Sequence, residues 1–122
     1  MLTVKTYLGK SGIEGIGVFA SEDIYRGELV WEFNELIDFV VSKDLVAKAL
    51  PKVREYYEKY GWFEKGKWIM SVDNDHFVNH SRTPNTCVDK QSGKVYASKF
   101  IPKGTEITMD YRTFDEIGYD YL

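Results

Sequence analysis

An internal echo is the feature that most limits how this chain can fold. Val18-Phe19-Ala20-Ser21, followed by Ile24 and Arg26-Gly27, is matched by Val95-Tyr96-Ala97-Ser98, followed by Ile101 and Lys103-Gly104; the offset, 95 less 18 or 104 less 27, is 77 throughout. Two copies fall short of a stacked solenoid. They imply two similar strand-turn-strand units with the rest of the chain between them. The expected fold is therefore mostly β, built of short strands and turns with one small helical insertion.

Local patterns fill in that frame. Leu2 to Leu8 alternates apolar and polar residues and reads as a half-buried strand, with a turn at Gly9 to Gly12. Leu29 to Phe33, Lys67 to Met70, Val95 to Ser98 and Glu106 to Tyr111 read as further strands. From Ser42 to Tyr60 the apolar residues recur at three- and four-residue steps, which is helical spacing. Ser42 suits an N-cap and Gly61 a C-terminal stop, while Pro51 predicts two short helices, with itself near the start of the second. The tyrosines of this segment read as packing residues. Gly15-Ile16-Gly17 is consistent with a hairpin or bulge. It is not a dinucleotide fingerprint, because no third glycine follows and no helix pattern opens there.

The densest polar stretch is His76-Phe77-Val78-Asn79-His80-Ser81-Arg82-Thr83-Pro84-Asn85, which holds both histidines of the chain. Asn and Ser supply short hydrogen-bonding arms, and Pro84 biases Thr83 to an extended shape. A loop that caps itself would use the same residues. A metal site could draw on His76, His80, Asp73, Asp75 and Cys87, but a helix presenting both histidines is disfavoured by Asn79, Ser81 and Pro84, and no metal is expected. Nucleophilic catalysis by Cys87 or Ser81 lacks a nucleophile elbow, and a lone Cys beside Val88 reads as a small core hydrophobe.

The 122 residues suit one domain, 1–122, with a helical insert at about 42–60 and a short tail at 112–122. A net charge of −3 argues against a general electrostatic grip on nucleic acid, and the single cysteine excludes an internal disulfide. With no signal-peptide core and no apolar run of about 18 residues, a soluble intracellular protein without membrane attachment is expected.

Three motifs in order, Gly15-Ile16-Gly17-Val18-Phe19-Ala20, then Phe77-Val78-Asn79-His80-Ser81-Arg82-Thr83-Pro84-Asn85, then Gly104-Thr105-Glu106-Ile107-Thr108-Met109-Asp110-Tyr111, resemble the signature of the SET-domain family. That family comprises protein-lysine methyltransferases that use S-adenosylmethionine. The resemblance implies a β-clip-like fold of short curved sheets with a knot-like threading of the C-terminal segment. It implies S-adenosyl-L-methionine as cofactor, with backbone around Gly15, Ile16 and Gly17 approaching its methionine moiety and Asn79 and His80 holding it. Tyr111 matches the catalytic tyrosine. Gly17, Asn85, Glu106 and Asp110 match the pattern as structural supports.

Phe33, Met109 and Val88 would fall at the substrate channel, with Trp31 and the tail tyrosines as further aromatic walls. Phe33 stands where many members carry a tyrosine, His76 where an arginine is common, and Met109 where an aromatic is frequent. No cysteine-rich segment follows Tyr111, so Phe114, Tyr119 or Tyr121 would have to close the site. The resemblance implies methyl transfer to lysine in a protein partner, histone-like or otherwise basic, in the cytoplasm or, in a eukaryote, the nucleus. An exposed partner-binding face is compatible with a homodimer. The alternative is a catalytically weak binding or scaffold module on the same fold.

Overall fold

The computed structural model describes residues 1–116. In chain order the elements are β1 (Thr6–Lys10), β2 (Ile16–Ala20), β3 (Leu29–Trp31), β4 (Asp38–Ser42), α1 (Lys43–Ala47), α2 (Pro51–Tyr60), β5 (Trp62–Glu64) and β6 (Lys67–Ser71). A 3-10 turn (Asn74–Phe77) then leads to β7 (Asn79–His80), β8 (Thr86–Val88), β9 (Val95–Ala97), β10 (Thr108–Met109) and a second 3-10 turn (Tyr111–Thr113). The strands make four small sheets, β1-β2, β10-β7, β3-β9-β8 and β4-β6-β5. The fold is mostly β, as the sequence implies.

The echo becomes an approximate two-fold relation between the two units. Ile24 and Ile101 exchange both backbone hydrogen bonds at 2.8 Å. Gly27 N–H donates to Ala97 O, and its counterpart Gly104 N–H donates to Ala20 O, again both at 2.8 Å. Ala97 N–H reaches Glu28 O, and Ala20 N–H reaches Thr105 O. Each bond maps onto its mate by the 77-residue offset. Gly27 and Gly104 both take positive φ, 89° and 85°, which a side chain would resist. The core is shared evenly: Val18, Ala20, Ile24 and Val30 from one unit meet Val95, Ala97, Ile101 and Ile107 from the other, all buried.

Several local readings need correction. The first strand is Thr6–Lys10, so Gly9 and Lys10 pair with Gly17 and Ile16 instead of turning; Leu2 makes an isolated bridge to Trp31. β3 stops at Trp31, because the next residues enter a turn in which Asn34 O accepts the Ile37 and Asp38 N–H groups. The last strand shrinks to Thr108–Met109, and Tyr111 opens a 3-10 turn. Cys87 is exposed: on β8 the alternation turns Thr86 and Val88 inward and Cys87 out. Helix α2 buries no residue fully, and Tyr56 lies on its surface, while Tyr57 packs edge-on against Trp68.

Local chemistry explains the insert. Ser42 accepts the Leu45 N–H at 3.2 Å as N-cap of α1, and Pro51 occupies the first turn of α2, where its missing N–H costs nothing. A Cβ on Gly61 would meet Ile69 O at 2.9 Å and Tyr57 O at 3.0 Å, so only glycine lets α2 turn directly into β5.

The C-terminal segment is laid beside the polar loop by β10, which runs parallel to β7 with Thr108 opposite Asn79 and Met109 opposite His80. Asn85 fastens that placement: its Oδ1 accepts Thr108 N–H at 2.9 Å and its Nδ2 donates to Glu106 O at 2.8 Å. One amide side chain thus substitutes for a strand neighbour. The chain that would complete a threading continues past residue 116, and Tyr119 and Tyr121 lie outside the described residues.

Candidate active site

The polar loop begins with Asp73, which caps the first 3-10 turn by accepting Asn74 N–H at 2.8 Å. Beyond it, the Asn79 side chain reaches across to the β1-β2 hairpin. Its Nδ2 lies 2.8 Å from Glu106 Oε2, 3.0 Å from Ser11 Oγ, 3.1 Å from Glu14 O and 3.3 Å from Ile16 O. Two amide hydrogens shared among four acceptors make Asn79 the pin of the hairpin loop. Ser11 Oγ in turn donates to the Glu106 carboxylate at 2.7 Å.

This arrangement changes the reason for the glycines. A Cβ on Gly17 would overlap the Glu106 carboxylate, whose Cδ would stand 2.8 Å away. Gly17 is therefore bare to admit Glu106. Gly15 has open space around it and takes a φ of 49°, which the tight turn between β1 and β2 requires. Ile16 is half exposed. Gly15, Ile16, Gly17 and Asn79 do come together, and they do so through Ser11, which the sequence does not mark, and Glu106, which the motif marks only as a support.

On the other side of β7, His80 and Tyr111 meet. His80 Nδ1 accepts Tyr111 N–H at 3.1 Å, so the proton of the neutral ring sits on Nε2. That Nε2 is buried and has no partner among the described residues. Burial pushes the His80 pKa below the ordinary histidine value, and the Asp110 carboxylate 3.8 Å away opposes the shift without reversing it. Asp110 itself caps the second 3-10 turn and is held by a bidentate Arg112 contact, which lowers its pKa. The Tyr111 hydroxyl donates to Val78 O, and its ring packs against His80 at 5.2 Å and Phe114 at 5.9 Å.

Tyr111, Met109 and Val88 line a cavity of about 100 Å³. Phe33 does not; it is 45% exposed on the turn after β3, and Trp31, two residues earlier, faces the cavity instead. The remaining walls include Tyr60, Trp62, Phe114 and Asp75. Trp31 and Trp62 stand edge to face at 5.5 Å, and Trp62 and Phe114 at 6.0 Å. Gly61 followed by Trp62, an aromatic straight after a helix stop, is the sequence signal for this wall.

Asp75 accepts the Trp31 indole N–H at 2.6 Å. Burial pushes its carboxyl up to about 6, with Asp73 and Asp38 adding to the shift and the Trp31 hydrogen bond and the Met1 amino group opposing it. His76, packed on Tyr60 at 5.1 Å and Phe77 at 4.4 Å, also lines the cavity, and burial lowers its pKa. Among the described residues no group of three or more His, Cys, Asp or Glu is placed to hold a metal ion. No helix among them is long and apolar enough to cross a membrane.

Comparison with known proteins adds a family and a fold. The family model described as SET domain matches residues 15–112. The histone-lysine N-methyltransferase, H3 lysine-36 specific, of Yarrowia lipolytica is 34% identical over 109 residues, covering 80% of this chain and 14% of that protein. Histone-lysine N-methyltransferase 2D of Homo sapiens is 30% identical over 125 residues, covering 87% of this chain and 2% of that protein. The chain spans 32% or less of the length of these curated relatives. Among solved structures, polycomb repressive complex 2 of Chaetomium thermophilum, in an autoinhibited conformation bound to S-adenosylmethionine, superposes with a TM-score of 0.69. The match is 26% identical and covers 91% of this chain and 16% of that one.

Proposed function

The chain belongs to the SET-domain family, and on that premise we propose that residues 1–122 act as one S-adenosylmethionine-dependent protein-lysine N-methyltransferase domain. The observation that carries the reading is the meeting of Tyr111 and His80 beside an aromatic cavity: a fixed hydroxyl on one side, and on the other a buried N–H without a partner among the described residues. The orphaned His80 Nε2–H fits a ring-nitrogen acceptor such as a purine supplies, which supports S-adenosylmethionine as the cofactor. Asn79 would hold it indirectly, by fixing the Gly15-Ile16-Gly17 backbone. The relatives' names support a histone-like or other basic protein as substrate.

When bound, S-adenosylmethionine supplies an electrophilic methyl group on a sulfonium. This chain's residues would do the rest. A lysine amine attacks only when neutral, and free lysine has a pKa near ~10.4. Walls formed by Trp31, Trp62 and Phe114 strip water from an inserted side chain and favour loss of its proton. Tyr111 spends its one hydroxyl hydrogen on Val78 O. Its oxygen would then act as an acceptor towards a polarised methyl or an amine hydrogen, so the group would orient without transferring a proton. Alignment of this kind can account for roughly 7–11 kcal/mol of a barrier.

Incubation with labelled cofactor and a mixture of histones and cellular proteins tests the reading, with Tyr111→Phe as control. Transfer by the wild type and its loss in the variant are expected. Transfer no greater than the variant's on any protein would sink the proposal. Calorimetry with the cofactor separates the scaffold alternative, which survives if nothing binds. An intracellular site of action, nuclear in a eukaryotic source, accompanies a histone-like substrate, and cell fractionation would test it. A homodimer has one structural support, the exposed apolar residues Leu45, Val53 and Tyr56 on the two helices and Leu50 between them; sedimentation equilibrium would test it against a monomer.

A further inference from the structure

We propose that Asp75 is a substrate-binding carboxylate of the cavity, its Oδ1, which has no partner among the described residues, receiving the side-chain ammonium of the lysine between Trp31, Trp62 and Phe114. The proposal rests on the methyltransferase reading, which supplies lysine as the occupant.

The geometry begins with Asp75 itself. Its side chain is 5% exposed, its Oδ2 is taken by the Trp31 indole at 2.6 Å, and its Oδ1 has no hydrogen-bond partner among the described residues. The residue lines the same cavity as Tyr111 and Met109. A buried carboxylate oxygen without a donor is costly, and a cationic N–H donor is the partner that relieves it most strongly. The Trp31 contact does not need the charge: an asparagine would accept the indole N–H equally well.

The surrounding groups offset the Asp75 charge only in part. The Met1 amino group is 3.8 Å from Asp75 Oδ2, but its close contact, at 2.7 Å, is with Asp38 Oδ2. Asp38 and Asp73 are carboxylates of the same sign. His76 lines the cavity and burial favours its neutral form; Lys59 and Glu64 line the same cavity with opposite charges, and so does the carboxylate of Asp115, whose Oδ1 accepts the Phe63 N–H at 3.1 Å. The aromatic faces add attraction for a cation and exclude its water. An aromatic cavity alone would admit any apolar chain of lysine's length. With Asp75 it selects the charged one. Binding precedes deprotonation: the ammonium is what enters, and its proton passes to the Asp75 carboxylate, leaving the neutral amine to attack.

The test uses peptides spanning the lysine labelled in the transfer assay, with that lysine either kept or replaced by norleucine. Affinities are measured by calorimetry on the S-adenosylhomocysteine complex, for wild type and Asp75→Asn. Wild type at pH 7.5 should prefer the lysine peptide by about tenfold or more. That preference should shrink as the pH falls through 6 towards 5, where the carboxylate gains its proton and lysine keeps its charge. Asp75→Asn should bind both peptides alike while retaining S-adenosylhomocysteine. Equal wild-type affinities, or a full lysine preference in Asp75→Asn, overturn the proposal. If Asp75→Asn does not fold, the wild-type series decides alone: a preference unchanged from pH 7.5 to 5 overturns it. Absence of transfer by the wild type removes the methyltransferase reading and this proposal together, whereas transfer with an intact preference in the variant removes this proposal only.

Discussion

Asp75 has a consequence for stability as well as for binding. Its folded-state pKa, about 6, lies above the ordinary 3.8, so ionisation is harder in the fold than in the unfolded chain. The linked stability is fully present below pH 3.8 and is lost as the pH rises through 6. Asp75→Asn removes that penalty. Thermal melts should therefore show the variant gaining on the wild type as the pH is raised from 4 to 7.5; parallel curves would contradict the assignment. Asn79 acts in the opposite sense. Asn79→Ala leaves Glu106 and the Glu14 and Ile16 carbonyls short of a donor, and a loss of about 1–3 kcal/mol in urea unfolding is expected. Little of this is visible in the residue string. Asn79, His80 and Tyr111 stand in distinctive motifs, but Asp75 between Asn74 and His76 stands out only as one of several candidate metal ligands. Its meaning depends on Trp31, 44 positions away along the chain. Phe33 is set by similar tertiary detail: the resemblance implies a place at the channel, and beside the turn at Asn34 it lies exposed and outside the lining of this cavity.

At the scale of elements, legibility follows the range of the forces involved. Ser42, Pro51 and Gly61 announce the helices because capping and ring geometry act within a few residues. β4 and β5 carry no such announcement, since both depend on pairing with β6 more than on their own pattern: Phe39 and Val40 are consecutive apolar residues that both remain exposed. The last strand is shorter than its pattern suggests, because the run from Glu106 to Tyr111 alternates well, yet only Thr108 and Met109 find a partner in β7. The junction of α2 with β5 matters for the site, because Tyr60 and Trp62 line the cavity on either side of Gly61. In Gly61→Ala the new methyl would press on two backbone carbonyls that cannot rotate away. A destabilisation of about 1–3 kcal/mol by chemical denaturation is expected, together with a raised KM for protein substrate. An unchanged KM would place the substrate elsewhere.

The molecule as a whole is two echoing units closed on one another, with the site where the intervening loop and the final strand meet. Ile24 and Ile101 sit at the centre of that closure, fully buried and joined by reciprocal backbone bonds. Each Ile→Ala change should cost about 2–5 kcal/mol, and because the two residues touch, the double variant should depart from the sum by at least about 0.5 kcal/mol. Strict additivity in urea unfolding would argue that the units are stabilised independently. The echo is legible in the residue string because both copies keep the same buried positions. The parallel β10-β7 pairing is not, since two residues carry no periodicity. That pairing is nevertheless what carries Tyr111 back beside His80, and on it the proposed chemistry depends. The decisive measurement is transfer of labelled methyl from S-adenosylmethionine to lysine in a basic protein. Wild type is expected to label at least one such protein, with Tyr111→Phe slower by on the order of 10²-fold at unchanged cofactor affinity. Equal labelling by the two, or none by either while the cofactor binds, would contradict the account.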